Sequence, residues 1–278
     1  MIGAIKNLTI FIARKCLKLL GYDMTFTKRP TQPGYDVTIS KGKSDSMIIV
    51  DKHTWQPYFS NDERMQLYFK GLQKSGNEES DNFYKQLRFH SLQQMVHYVT
   101  RRKISGDFVE CGVWKGHSAY MIADIISKSD FRGNLHIFDS FEGGLSDKSD
   151  KDKGLRDLMS EKKIMDGTKV FSSTEDEVRD CLSEFKFVQL YKGWIPTRFK
   201  EVEDKKFAFV HIDVNLYQPF IDSLNFFYPR LAEGGIIVCD DYGLTQYPGA
   251  KTAVDEFLMK NKYSFFYEVP MGACFVIK

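Results

Sequence analysis

From residue 81 onward, short apolar runs alternate with stretches whose apolar positions recur at helical spacing. Runs at 108–111, 135–138, 188–191, 207–212 and 235–239 read as strands, because each is brief and nearly continuous in apolar residues. Continuous runs of this length suit strands covered on both faces. Helices fit 83–99, 118–127, 175–185, 220–231 and 250–260; the first carries Leu87, Leu92, Met95 and Val99 on one side. Thr174 and Glu177 have the spacing of a capping box, and Pro219 stands where a first-turn proline belongs. The alternation predicts an α/β fold with a doubly wound, mostly parallel sheet. The end differs: 263–269, then Pro270-Met271-Gly272, then 273–277 predicts a closing antiparallel hairpin.

The first 80 residues have another texture and are expected to form an N-terminal extension, with the main domain spanning 81–278. Residues 2–20 predict an amphipathic helix: Ile5, Ile12 and Leu19 recur every seven residues, joined by Ile2, Leu8 and Cys16. Asn7, Arg14 and Lys18 mark its other face, Lys6 and Lys15 add charge, and no acid precedes Asp23. Such a helix can dock on its own domain or a second subunit, so a homo-oligomer is expected. It can also lie on an anionic membrane surface. Residues 21–82 carry Pro30, Pro33, Pro57 and polar patches at 40–46 and 74–81, and are expected to be irregular, with little sheet.

Composition narrows the class. Hydrophobic residues at 42% and charged residues at 27% are ordinary for a globular chain, and a net charge of +2 gives no reason to expect nucleic acid. The five cysteines form no CxxC pair, which points to reduced, inert thiols and a cytoplasmic setting. No apolar run approaches the ~18 residues of a membrane span. The stretch 8–13 is broken by Thr9 and ends at Arg14-Lys15, so a signal peptide is not expected. The location read from these features is cytoplasmic, with peripheral contact at the inner membrane surface through residues 2–20.

The chemistry sits at strand ends. Asp240 and Asp241 follow the run at 235–239, and Asp213 follows 207–212. Three carboxylates converging over a sheet edge repel one another unless a cation or proton neutralises them, and hard oxygen donors suit Mg²⁺. His211 is expected to point away from Asp213 by strand alternation, acting as neither ligand nor base. The turn after 108–111 holds Glu110, Gly112, Trp114, Gly116 and Ser118. The Gly112–Gly116 interval is too long for a dinucleotide fingerprint, and an acid beside a pyrophosphate would repel it. Glu110 suits a cationic group instead, such as the α-amino group of a methionine moiety. Asp139 ends the next strand and can accept both hydroxyls of a ribose. Ser140 adjoins it, Phe141 is placed to pack on a base, and Ser173 can bond an adenine edge.

Taken together, 108–119, Asp139-Ser140-Phe141-Glu142-Gly143, His211-Ile212-Asp213-Val214-Asn215-Leu216-Tyr217, Asp240-Asp241-Tyr242, Pro248-Gly249 and 253–257 resemble the macrocin O-methyltransferase family. The resemblance runs from Leu87 to the C-terminus. It implies a Rossmann-like class I methyltransferase with a seven-stranded sheet, using S-adenosylmethionine and a divalent metal to methylate a hydroxyl, notably on a sugar. Asp213, Asp240 and Asp241 would hold Mg²⁺, and two neighbouring hydroxyls of the acceptor would bind there. The acceptor would be a cell-surface glycan precursor, a nucleotide- or lipid-linked sugar, or a natural-product sugar. Leu216 stands where catechol-type enzymes carry a lysine, which argues against catechol or CoA-ester phenol substrates. No histidine lies between His136 and His211, where macrocin-type enzymes often have one. Asp166 falls near that position and is a candidate base, as is Asp213; Asn215 replaces an acid common in the family. The segment 142–169 is long enough to form a lid, and Trp194 is a candidate for the substrate pocket. A nucleotide-sugar oxidoreductase would need a dinucleotide turn that is missing, and a non-catalytic binding module would not need the three aspartates.

Overall fold

The computed structural model describes residues 22–28, 35–41, 48–50, 63–153, 171–269 and 272–278. The amphipathic stretch 2–20, the candidate base Asp166 and the turn residues Pro270 and Met271 lie outside the described residues. Contrary to the expectation of little sheet, three antiparallel strands occupy the extension: β1 (Tyr22–Lys28), β2 (Tyr35–Lys41) and β3 (Ile48–Val50). Tyr22 pairs with Lys41 and Val37 with Val50. The alternating Met24-Thr25-Phe26-Thr27 and Val37-Thr38-Ile39-Ser40 are half-apolar and rich in β-branched residues. Pro30 and Pro33 fall between these strands, where they break no ladder. A helix, α1 (Glu63–Lys74), was also unexpected; it sends Met65, Tyr68 and Leu72 inward.

The remaining elements follow the predicted alternation. They are α2 (Phe83–Arg101), β4 (Asp107–Cys111), α3 (His117–Ser127), β5 (Leu135–Asp139), α4 (Glu175–Cys181), β6 (Val188–Lys192), β7 (Phe207–Ile212), α5 (Tyr217–Phe227), β8 (Leu231–Cys239), α6 (Pro248–Leu258), β9 (Phe265–Glu268) and β10 (Cys274–Ile277). Asn82 caps α2, accepting from Lys85 N at 2.9 Å, and the Thr174–Glu177 capping box is present at α4. The seven-stranded sheet runs β6-β5-β4-β7-β8-β10-β9. Strands β4 to β8 are parallel, and β10 lies antiparallel between β8 and β9.

The central strands β4, β5, β7 and the second half of β8 are buried on both faces, which is why they read as nearly continuous apolar runs. Phe108, Ile137, Phe209, Ile236 and Val238 face a layer that includes α1, α2 and α3. Val109, Phe138, Val210, Ile212 and Ile237 face α5 and α6 on the other side. The chain winds outward from β4 through β5 to β6, then returns to place β7 beside β4. That reversal opens a crevice over the carboxyl ends of β4 and β7, the usual ligand position in such sheets. There, Gly112 has φ +80°, and a Cβ on it would come within 1.9 Å of the Asp213 carbonyl oxygen. Glycine is therefore required both by backbone conformation and by contact between two strand ends.

Candidate active site

One cavity occupies the crevice, and both halves of the predicted chemistry line it. Gly112, Trp114, Asp139 and Ser140 come from the β4 and β5 ends, and Asp213, Val214 and Asn215 from the β7 end. Trp194, expected near a substrate pocket, forms part of its wall, and its Nε1 donates to Glu142 Oε2 at 3.0 Å. The Asp139 carboxylate organises the donor side: Oδ2 accepts from Val113 N at 2.8 Å, and Oδ1 from Phe141 N at 2.9 Å. It thus ties the turn after β4 to the turn after β5 while remaining on the cavity surface.

Four residues expected at the cofactor are placed elsewhere. Phe141 enters the core, 5% exposed, instead of presenting its ring to a base. Its backbone is left-handed, with φ +52°. Gly116 lies against Cys181 at the α3–α4 contact. Ser118 and Ser173 are buried, and none of the four is among the described residues lining the cavity. Glu110 is fully buried behind the turn, with Oε1 2.8 Å from His211 Nδ1 and Oε2 unpartnered. Leu216 is buried at the start of α5.

Asp213, Asp240 and Asp241 do converge. Ligand atoms of His211, Asp213 and Asp240 all lie within 4.8 Å of one another. This corrects the expectation that His211 is turned away: β7 ends at Ile212, so the pleat does not govern Asp213, whose carboxylate folds back beside the histidine. Asp241 is differently engaged, with Oδ2 accepting from Asn215 N at 3.0 Å. Arg88 on α2, which the sequence reading passed over, reaches the cluster with Nε 3.0 Å from Asp240 Oδ2. Lys85, one turn earlier, lies in the same field. Burial drives its ammonium down to about 8, against the pull of Asp213 and Asp240. The only signal for both was the spacing of Lys85 and Arg88, three residues apart and so on one face of α2.

Burial and mutual repulsion dominate the electrostatics of Asp213 and Asp241, and nearby cations dominate that of Asp240. Burial pushes Asp213 well above the usual carboxylate range, and Asp240 and Asp241 reinforce this. Burial and Asp240 raise Asp241 to about 7. Burial would raise Asp240 too, but Arg88 and His211 outweigh it and hold that carboxyl below its ordinary value. Burial lowers His211, but its acidic partners prevail and raise it to about 10. The donor set fits a divalent cation: hard oxygens, two of them on carboxyls that would otherwise hold protons, and buried Asp240 Oδ2 and His211 Nε2 without hydrogen bonds.

The chain shares its fold with solved methyltransferases. It superposes on the O-methyltransferase NovP with a TM-score of 0.59 at 24% identity, covering 75% of this chain and 88% of that one. With the calicheamicin methyltransferase CalS11 the TM-score is 0.55 at 17% identity, over 84% and 99%. The architecture is that of a class I methyltransferase. A family model described as Macrocin-O-methyltransferase (TylF) matches residues 81–265, and the chain belongs to that family of S-adenosylmethionine-dependent O-methyltransferases. Relatives include demethyldecarbamoylnovobiocin O-methyltransferase of Streptomyces niveus, 29% identical over 180 residues, 62% of this chain and 66% of the relative. Another is 8-demethyl-8-(2,3-dimethoxy-alpha-L-rhamnosyl)-tetracenomycin-C 4'-O-methyltransferase of Streptomyces olivaceus, 27% identical over 162 residues, 56% and 60%. In both, the match spans less than two thirds of the relative's own length.

Proposed function

We propose that this protein transfers a methyl group from S-adenosylmethionine to a hydroxyl of a sugar bearing a neighbouring hydroxyl, with Mg²⁺ held by Asp213, Asp240 and Asp241. The observation that carries this reading is the single cavity lined at one end by Gly112, Trp114 and Asp139 and at the other by Asp213 and Asn215. The donor would lie along the first group, with its ribose on Asp139. A bound divalent ion would supply positive charge that lowers the pKa of a coordinated hydroxyl.

The rest is done by the chain. Trp114, Phe171, Trp194 and Ile195 give the cavity apolar walls that exclude water around the sulfonium. The contact between Gly112 and the Asp213 backbone holds donor turn and acceptor floor in fixed register, so the transfer gains from proximity. Asp213, whose carboxylate stands in the cluster, is a candidate to take the acceptor's proton. Asp166 remains a candidate for the same role. Asp152 pins the near part of the proposed lid: its Oδ1 accepts from Tyr217 N at 2.7 Å, at the start of α5.

A sugar acceptor is favoured by the family and by the rhamnosyl compound named for one relative. A cell-surface glycan precursor or a nucleotide- or lipid-linked sugar fits the basic amphipathic pattern of the 2–20 sequence, and a natural-product sugar fits the relatives. Cytoplasmic location, peripheral membrane contact and a homo-oligomer belong to the same proposal. Among the described residues no helix is long and apolar enough to cross a membrane. Deleting 1–20 and comparing membrane fractionation tests that contact.

Calorimetry with S-adenosylmethionine, in Mg²⁺ and in EDTA, tests the core of the reading. Micromolar binding of the donor is expected, followed by Mg²⁺-dependent methylation of nucleotide-sugar or glycoside acceptors. A protein that binds no S-adenosylmethionine would not be a methyltransferase.

A further inference from the structure

Arg88 reaches the cluster but has no part in the proposed chemistry. Its side chain is 17% exposed, and Nε faces Asp240 Oδ2, itself 2% exposed, at 3.0 Å. The two atoms are buried and in contact, yet neither makes an aligned hydrogen bond. The guanidinium is thus held by charge more than by directed bonding, and Asp240 Oδ2 keeps its lone pairs unspent. His211 Nε2, the other cation-facing group, stands 3.7 Å from Asp240 Oδ1, beyond hydrogen-bond reach. Asp240 is therefore approached by positive charge on both oxygens and firmly bonded by neither.

A divalent ion held by Asp213 and Asp240 would share the Asp240 carboxylate with the charge of Arg88. Arginine does not lose its proton at any accessible pH, so its charge can only be moved, not removed. Resting on the metal reading above, we infer that Arg88 is the resident counter-cation of the aspartate cluster, and that it competes with the metal for Asp240. It keeps the metal-free protein folded with three carboxylates under one helix, and weakens metal binding by doing so. Arg88 does not touch the reacting atoms in this scheme; it is a positioning residue acting through Asp240.

Calorimetric titration of Mg²⁺ and Mn²⁺, paired with thermal melting in EDTA and in excess metal, tests this without reference to activity. Arg88→Met is expected to bind the metal about tenfold more tightly than wild type, since a unit charge removed a few ångströms from a divalent ion is worth at least that factor. In EDTA the variant should melt below wild type, and added metal should return most of the loss. Arg88→Gln, also neutral but able to hydrogen-bond Asp240, serves if the methionine variant does not fold, with the same tightening expected. Arg88→Lys keeps the charge and should bind metal within about threefold of wild type. Neutral variants that bind metal no more tightly than wild type would overturn the inference while leaving the metal site standing. Tightening in Arg88→Lys equal to that of the neutral variants would overturn it as well. If wild type and variants alike take up no metal, the metal reading itself fails, and this inference falls with it.

Discussion

His211 Nδ1 lies 2.8 Å from Glu110 Oε1, with both side chains fully buried, and the pair joins β7 to β4 directly behind the cavity. Removing one partner of a buried ion pair strands the other's charge, which costs ~3–5 kcal/mol. Glu110→Ala is expected to lower the urea unfolding free energy by about 3 kcal/mol. Glu110→Gln, which still accepts from the ring, should lose less. An alanine variant within about 1 kcal/mol of wild type would mean that the pair carries no such charge.

Asp241→Asn should separate stability from function. A carboxyl raised to about 7 by burial and Asp240 is ionised at a cost at pH 8 in the metal-free protein. The folded value lies above the unfolded one, so the penalty grows as pH rises from 3.8 towards 7 and is complete above that. The amide removes it while keeping an oxygen for Asn215 N. Stability in EDTA at pH 8 is expected to rise, on the order of 2 kcal/mol, while metal affinity falls at least tenfold by calorimetry.

His117 sets an acid limit on stability. Burial, helped by Lys85, holds its imidazole well below 6.5, against the contact of Nε2 with Tyr68 O at 2.9 Å. The folded protein keeps this ring neutral while the unfolded chain takes up a proton below 6.5. Stability should fall as pH drops from that point, at up to about 1.4 kcal/mol per pH unit for one proton. His117→Gln can keep the bond to Tyr68 O without titrating. Equilibrium unfolding at pH 8, 6 and 5 should show a flatter profile for the variant.

Gly112→Ala is expected to be severe. The added Cβ would meet the Asp213 carbonyl oxygen at 1.9 Å from a backbone at φ +80°. A loss of about 3 kcal/mol or more, with loss of donor binding, should appear in denaturation and calorimetry.

Trp114 and Trp194 both line the cavity, so binding of S-adenosylhomocysteine should change the intrinsic fluorescence. Trp114→Phe should remove most of that change. Trp194→Ala should raise the acceptor KM more than the donor KM, with thermal stability nearly unchanged, because Trp194 is 38% exposed.

The central strands were legible because burial on both faces writes itself as nearly continuous apolar runs, as in Phe207–Ile212. The strand-end aspartates were legible for a related reason, since three acids at two neighbouring strand ends repel one another unless something neutralises them. His211 was misread because the pleat rule was carried one residue beyond the strand. β1 and β2 were missed because Pro30 and Pro33 suggested irregularity, though they stand between strands. Arg88 and Lys85 reach the site only because α2 packs across the sheet end. That is a tertiary fact, and local spacing only hints at it.

The backbone contact between Gly112 and Asp213 also bears on how such a protein can change its acceptor. Two walls of the cavity are locked to each other there, so mutation cannot widen the gap between them without breaking the fold. Novelty in substrate choice must come from the opposite side, where Gly144, Leu145, Ser146, Trp194 and Ile195 line the space. Libraries built on those five positions, with the floor left untouched, are the economical route to a protein that methylates a different hydroxyl.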